Sequence, residues 1–309
     1  MRRRGRLTAF YVSQINEIMI LLFHGNKFAM YRYGNAEKRR EMYIAVLMED
    51  TCGDPQCEYE HGLSIYIETE HHRIIMDTGA SDKTWENARK LRVNLSEVDT
   101  VVLSHGHYDH SGGLSAFRRM NQYAVIYMQQ TALLDYYHGE RYIGIDKEIG
   151  ELPNVQMLSG DRRIDEKISV FAGITGRKFW PQSNLGLSIR VNGADRQDEF
   201  VHEQCLVVDE GKKLLVSGCA HNGILNILDK YQEIYGGTPD IVISGFHMMK
   251  KSDYTEEEKE TIRQTAEELK ERNIIFYTGH CTGQKAIDLM KPILKDRLVQ
   301  MNCGMEILI

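Results

Sequence analysis

Between Leu103 and Ser111 the chain reads Ser104-His105-Gly106-His107-Tyr108-Asp109-His110, three imidazoles and a carboxylate within six residues. Imidazole with carboxylate is a donor set for Zn, Fe or Mn. The string follows the apolar run 100–103, which reads as a strand, and precedes Ser111-Gly112-Gly113-Leu114, whose glycines permit a tight turn before a helix. In an extended segment side chains two apart project the same way. His105 and His107 are therefore expected to grip one cation while Asp109 and His110 turn toward a second.

The scaffold is legible from apolar periodicity. From Met42 onward a strand-like run, Tyr43-Ile44-Ala45-Val46-Leu47-Met48, opens a stretch in which short apolar segments alternate with loops and helices. Strands are expected at 63–67, 73–76, 100–103, 124–128, 187–191, 205–208, 213–217, 241–244 and 274–277, and helices at 224–235 and 256–272. Apolar strands this short are buried on both faces when two sheets pack together under outer helices, an α/β fold. Residues 1–41 are compositionally foreign, with nine Lys/Arg against three Glu; the remainder carries 29 Lys/Arg against 41 Asp/Glu, a net −12. The domain is expected to span 42–309, and 1–41 to be a basic extension. Lys38-Arg39-Arg40-Glu41-Met42 reads like a translated ribosome-binding stretch before a start codon, which would put 1–41 outside the native protein; an ordinary basic arm or a poor targeting segment is the alternative. Composition excludes several classes. The formal charge of −6 lacks the basic footprint that nucleic acid needs, and no apolar run approaches the roughly 18 to 20 residues of a membrane span. Six cysteines without a CxxC pair fit reduced thiols in a cytoplasm. A small-molecule substrate is the expected partner; the oligomeric state is not legible.

The pattern His105-x-His107-x-Asp109-His110 resembles the signature of the metallo-β-lactamase superfamily, and the likeness extends over nearly all of 42–309. It implies an αββα sandwich of two mixed sheets flanked by helices, and a dinuclear site, most simply of Zn, with Mn or Fe as alternatives. Met76-Asp77-Thr78-Gly79 resembles the strand-end aspartate that orients a ligand histidine. Val216-Ser217-Gly218-Cys219-Ala220-His221 and Tyr277-Thr278-Gly279-His280-Cys281-Thr282-Gly283 each end a strand with a small-residue turn and a histidine. The resemblance assigns His221 to the first metal with His105 and His107, and His280 to the second with Asp109 and His110. Together with Gly245-Phe246-His247, these turns resemble a subgroup labelled 7,8-dihydropterin-6-methyl-4-(β-D-ribofuranosyl)aminobenzene-5'-phosphate synthase. The chain departs from the family at Ser217-Gly218-Cys219, where many members carry a metal-bridging aspartate; Cys219, as a thiolate, and Glu203 are the candidate replacements, each with a structural reading beside it. His247 is expected to serve as a proton donor or phosphate contact, with a simple hydrogen bond near the sheet edge as the structural reading beside it.

Two cations about 3.5–4 Å apart lower the pKa of a shared water toward about 7, so no protein nucleophile is needed. The implied activity is metal-dependent hydrolysis of a small phosphorylated or cyclic metabolite, with Asp109 and His247 as catalytic residues and Asp109 shuttling the proton. A synthase that transfers a pterin on the same metals is the second reading. Segments 135–152, with Tyr136, Tyr137 and Tyr142, and 176–185, with Lys178, Phe179 and Trp180, are expected over the site, where aromatic planes suit a flat heterocycle or simply pack the loops.

Overall fold

Strand alternation here sorts residues between two apolar environments. In Tyr43–Met48, Ile44 and Val46 face one buried cluster while Ala45 and Leu47 face another. A computed structural model of the chain describes residues 42–309 and, before them, 9–14, 17–24 and 27–34. The chain divides into two compact units, Met1–Arg40 and Glu41–Ile309. In the first, strands Ala9–Gln14, Glu17–His24 and Lys27–Gly34 pair antiparallel. Residues 38–41 of the expected translated ribosome-binding stretch lie outside the described residues.

The second unit is built on two seven-stranded sheets. The first runs Val155–Leu158, Val125–Gln129, Thr100–Val102, Arg73–Met76, Ser64–Glu68, Tyr43–Met48, Glu306–Leu308. The second runs Arg162–Arg163, Ile168–Phe171, Cys205–Glu210, Lys212–Ser217, Ile241–Ser244, Ile275–Thr278, Leu298–Gln300. Each is mixed. Parallel pairing joins Arg73–Met76 to Thr100–Val102 and Lys212–Ser217 to Ile241–Ser244, and antiparallel pairing covers the hairpins. Ile65, Ile74, Met76 and Val102 of one sheet pack on Leu206, Leu214, Val216 and Ile243 of the other. Helices Lys83–Lys90 and Leu114–Met120 cover the first sheet through Trp85 and Phe117. Helices Ile224–Tyr235, Glu256–Lys270 and Gln284–Leu294 cover the second through Leu228, Leu269 and Met290. The result is the expected αββα sandwich.

One expected strand is placed differently. Leu187–Val191 forms, but in a separate four-stranded sheet with Asp135–His138, Arg141–Tyr142 and Ala194–Gln197. Its outer residues are only half-buried, so alternation reveals the strand without revealing which sheet it joins. What matters for function is polarity. Met76, Val102, Ser217, Ser244 and Thr278 all end strands that run parallel to a neighbour, so the turns that follow in each sheet emerge at one edge. Tyr43–Met48, antiparallel to Ser64–Glu68, ends at that edge of the first sheet, where Ser64–Glu68 begins.

Candidate metal centre

Eight of the chain's 12 histidines collect at this edge: His61, His105, His107, His110, His202, His221, His247 and His280. His107 is the N-cap residue of a one-turn helix, Tyr108–Ser111, whose carbonyl already turns inward to His110 N–H at 3.2 Å. That turn is what separates Asp109 and His110 from the preceding pair.

The first cluster is His105, His107 and His221, whose candidate ligand atoms lie within 4.8 Å of one another. Its tautomers follow from the partners. Ser104 Oγ donates to Asp77 Oδ2 at 2.7 Å and so accepts from His105 Nδ1 at 2.7 Å. Asn184 Nδ2 donates to the His221 carbonyl at 2.7 Å, leaving its Oδ1 to accept from His221 Nδ1 at 3.0 Å. Both Nδ1 atoms carry protons, so both Nε2 atoms present lone pairs, and these face each other across 3.2 Å. Two acceptors repel at that distance unless a cation lies between their directions. Zn–N bonds of about 2.0–2.1 Å in a tetrahedron separate neighbouring nitrogens by about 3.3–3.4 Å, so the donors fit the metal. His107 Nε2 is buried without a partner. Burial, reinforced by the neighbouring imidazoles, keeps His105 and His221 well below the usual histidine range, and burial brings His107 down to about 3.

The second cluster surrounds Asp109 Oδ2. His110 Nε2 lies 3.6 Å from it and His280 Nε2 3.4 Å. Asp77 Oδ2 accepts from His110 Nδ1 at 2.7 Å, and Asp50 Oδ1 from His280 Nδ1 at 2.6 Å, so Nε2 is the nitrogen turned toward Asp109 in both rings. Burial opposes charge on His280, but Asp109 and Asp50 outweigh it and hold its proton affinity well above the ordinary value. The same carboxylates would favour a cation. Cys219 Sγ lies between the clusters: it is 3.2 Å from His110 Nε2 and within 4.8 Å of ligand atoms of His105, His221 and His280.

The remaining expected residues are placed as follows. Asp77, fully buried, accepts from Ser104 N–H, Ser104 O–H and His110 Nδ1, each at 2.7 Å. Glu203 spends its oxygens on the His221 N–H at 2.6 Å and the Asn222 N–H and Nδ2 at 2.9 Å, so it acts on the site through the His221 loop. His247 sits with its ring 4.0 Å from that of His221, and its Nδ1 is buried without a partner. Tyr136 packs fully buried on His202, while Phe200 stacks on His221 at 4.3 Å and Trp180 lies against Phe200. Gly218 allows a close approach: a Cβ there would meet Ser104 Oγ at 2.1 Å.

Several site residues carry no local sequence signal. Asp50 and His61 come from the two ends of the loop that joins Tyr43–Met48 to Ser64–Glu68. Glu49 Oε1 accepts from His280 N–H at 2.5 Å, doing for His280 what Glu203 does for His221. His202 sits 5.5 Å from His107, ring to ring, yet both its nitrogens are taken, Nδ1 by Gly106 N–H at 2.8 Å and Nε2 by Asp198 at 3.0 Å; it braces the loop.

Comparison with known proteins agrees with this architecture. The family profile described as Metallo-beta-lactamase superfamily matches residues 59–173. An uncharacterized protein of Methanocaldococcus jannaschii is 31% identical over 236 residues, covering 74% of this chain and 86% of the relative. The 7,8-dihydropterin-6-methyl-4-(beta-D-ribofuranosyl)-aminobenzene-5'-phosphate synthase of the same organism is 28% identical over 294 residues, 87% of this chain and 97% of that one. The solved structure of Tm1679, a metal-dependent hydrolase of the beta-lactamase superfamily, superposes with a TM-score of 0.73 at 29% identity over 87% of this chain and 99% of its own. Two stacked mixed sheets, the HxHxDH turn at their shared edge and these relatives agree: the chain belongs to the metallo-β-lactamase superfamily.

Proposed function

We propose that this chain is a cytoplasmic metal-dependent hydrolase that holds two divalent cations, most simply zinc, and acts on a small phosphorylated or cyclic metabolite. The observation that carries this reading is the pair of lone pairs on His105 and His221, 3.2 Å apart, beside a second convergence of nitrogens on Asp109 Oδ2. His105, His107 and His221 would hold one cation and Asp109, His110 and His280 the other, with Cys219 in the place of the bridging carboxylate. When bound, such a pair supplies a water of lowered pKa and polarises the substrate oxygen under attack. With Oδ2 of Asp109 turned to the imidazoles, Oδ1 is left to take the proton released by that water. His247, half-buried with a partnerless Nδ1, would donate to the leaving group. Arg141 rests over the Tyr108 ring at 4.9 Å and, among the described residues, has no acidic partner, which suits a phosphoryl oxygen. No described helix is long and apolar enough to cross a membrane.

The relative named as a synthase supports a second reading, in which the same cations bind a leaving diphosphate during pterin transfer. Metal content of gently purified protein, joined to a metal-supplemented screen of phosphomonoesters, phosphodiesters, lactones, thioesters and pterin diphosphates, separates the two. Near two metals with hydrolysis supports the first; turnover of pterin substrates alone supports the second. Turnover that survives complete metal removal would refute both.

A further inference from the structure

Asp50 holds two rings, not one. Its Oδ1 takes His280 Nδ1 at 2.6 Å, and its Oδ2 takes His61 Nδ1 at 2.8 Å. The rings stack with centroids 4.8 Å apart and planes inclined by 26°. With both Nδ1 atoms on one carboxylate, both Nε2 atoms point the other way and reach the same target: each lies 3.4 Å from Asp109 Oδ2. The backbone enforces this. Leu63 N–H donates to the Asp109 carbonyl at 3.2 Å, Gly62 N–H faces Asp50 Oδ1 at 3.3 Å, and a Cβ at Gly62 would meet the Asp109 carbonyl at 2.9 Å. Glycine at 62 is what lets the preceding histidine ride directly over the HxHxDH turn.

We propose that His61 is a fourth protein donor to the second cation, beside Asp109, His110 and His280, with Asp50 as the common anchor of His61 and His280. The inference rests on the dinuclear reading above. Three imidazoles and one carboxylate form a set that favours Zn or Fe over Mg or Ca. Because the His61 side chain is 46% exposed, it can be changed without opening the core.

The test strips the full-length protein with a chelator and titrates zinc against a chromophoric competitor, for wild type, His61→Ala, His61→Gln and His105→Ala. Glutamine preserves a donor toward Asp50 but is a poor ligand. Two sites are expected in wild type; both His61 variants should lose about tenfold or more in affinity at one site, with the other unchanged, while His105→Ala weakens the opposite site. The metal-free melting temperature of His61→Gln should stay near wild type while its zinc-induced rise shrinks. Wild-type affinity at both sites in His61→Gln would overturn the role of His61 and leave the dinuclear reading intact. Fewer than two sites in wild type would overturn the dinuclear reading and this inference with it.

Discussion

Asp77→Asn is the substitution whose effect the geometry fixes most closely. Asp77 has φ 60°, a left-handed conformation that asparagine tolerates better than other residues, so backbone strain is unchanged. Its Oδ1 accepts from Ser104 N–H and can keep doing so as an amide oxygen. The Oδ2 position becomes an NH2 facing Ser104 Oγ and His110 Nδ1, both 2.7 Å away and both donors in the parent. Serine can rotate its proton. His110 can accept only by moving its proton to Nε2, the nitrogen that faces Asp109 and Cys219. A cation at the second site would have to reverse that tautomer and leave a donor against a donor, costing about 1–3 kcal/mol. The expected result is a loss of roughly 5- to 150-fold in affinity at the second site. The first site feels the change only through Ser104 and His105, so its affinity should fall by less than that of the second. Competitive zinc titration of chelator-stripped protein measures both. Unchanged second-site affinity, or a loss confined to the first site, would refute the assignment of His110 and the role of Asp77 as its orienting group.

Three further outcomes follow from the same contacts. If Cys219 Sγ bridges the cations, cobalt-loaded wild type should show sulfur-to-metal charge-transfer absorption that Cys219→Ala abolishes while keeping the His105 cluster; the same band in the variant would exclude Cys219. Metal must displace the proton that Asp109 and Asp50 hold on His280, whereas His105, His107 and His221 are depressed and already neutral near pH 7. Second-site affinity should therefore climb with pH through neutrality, by roughly tenfold per unit for each proton displaced, with little change at the first site; calorimetry in buffers of different ionisation enthalpy counts those protons. Away from the candidate metal centre, His72 is raised because Asp99 at 3.0 Å and Asp165 at 2.5 Å outweigh its partial burial. A raised folded-state value stabilises fully below the unfolded value of about 6.5 and is lost as pH rises through the folded one, so the gap in melting temperature between wild type and His72→Asn should be widest below pH 6.5 and narrow above it.

The sequence reveals those parts of the site whose geometry is local. His105 to His110 declare themselves by spacing, and His221 and His280 by strand-ending turns, because each group is delivered by one strand and one loop. Asp50 and His61 are silent, since their meeting depends on the register between Tyr43–Met48 and Ser64–Glu68 and on the approach that Gly62 permits. His202 is the converse case. It lies among the candidate ligand rings, yet Asp198 and the Gly106 amide occupy both its nitrogens, and only three-dimensional partners distinguish a brace from a candidate ligand. Glu203 is a buried acid near the site by sequence, but its carboxylate serves the backbone of the His221 turn.

These bracing contacts account for a costly feature of the fold. Asp77, Ala220, His247 and His280 all adopt positive φ without being glycine, at about 1–2 kcal/mol each. All four lie in turns that leave parallel strands, where a side chain must reverse direction to face the shared edge. Carboxylates and an amide from neighbouring loops hold the turns in place: Glu203 on the His221 amide, Glu49 on the His280 amide, Asn184 on the His221 ring. Strain of this kind persists only where the surroundings over-determine it. Here they fix an arrangement in which the acceptor nitrogens of His105 and His221 face one another, so a cation bound between them would relieve that repulsion and stabilise the folded chain by mass action.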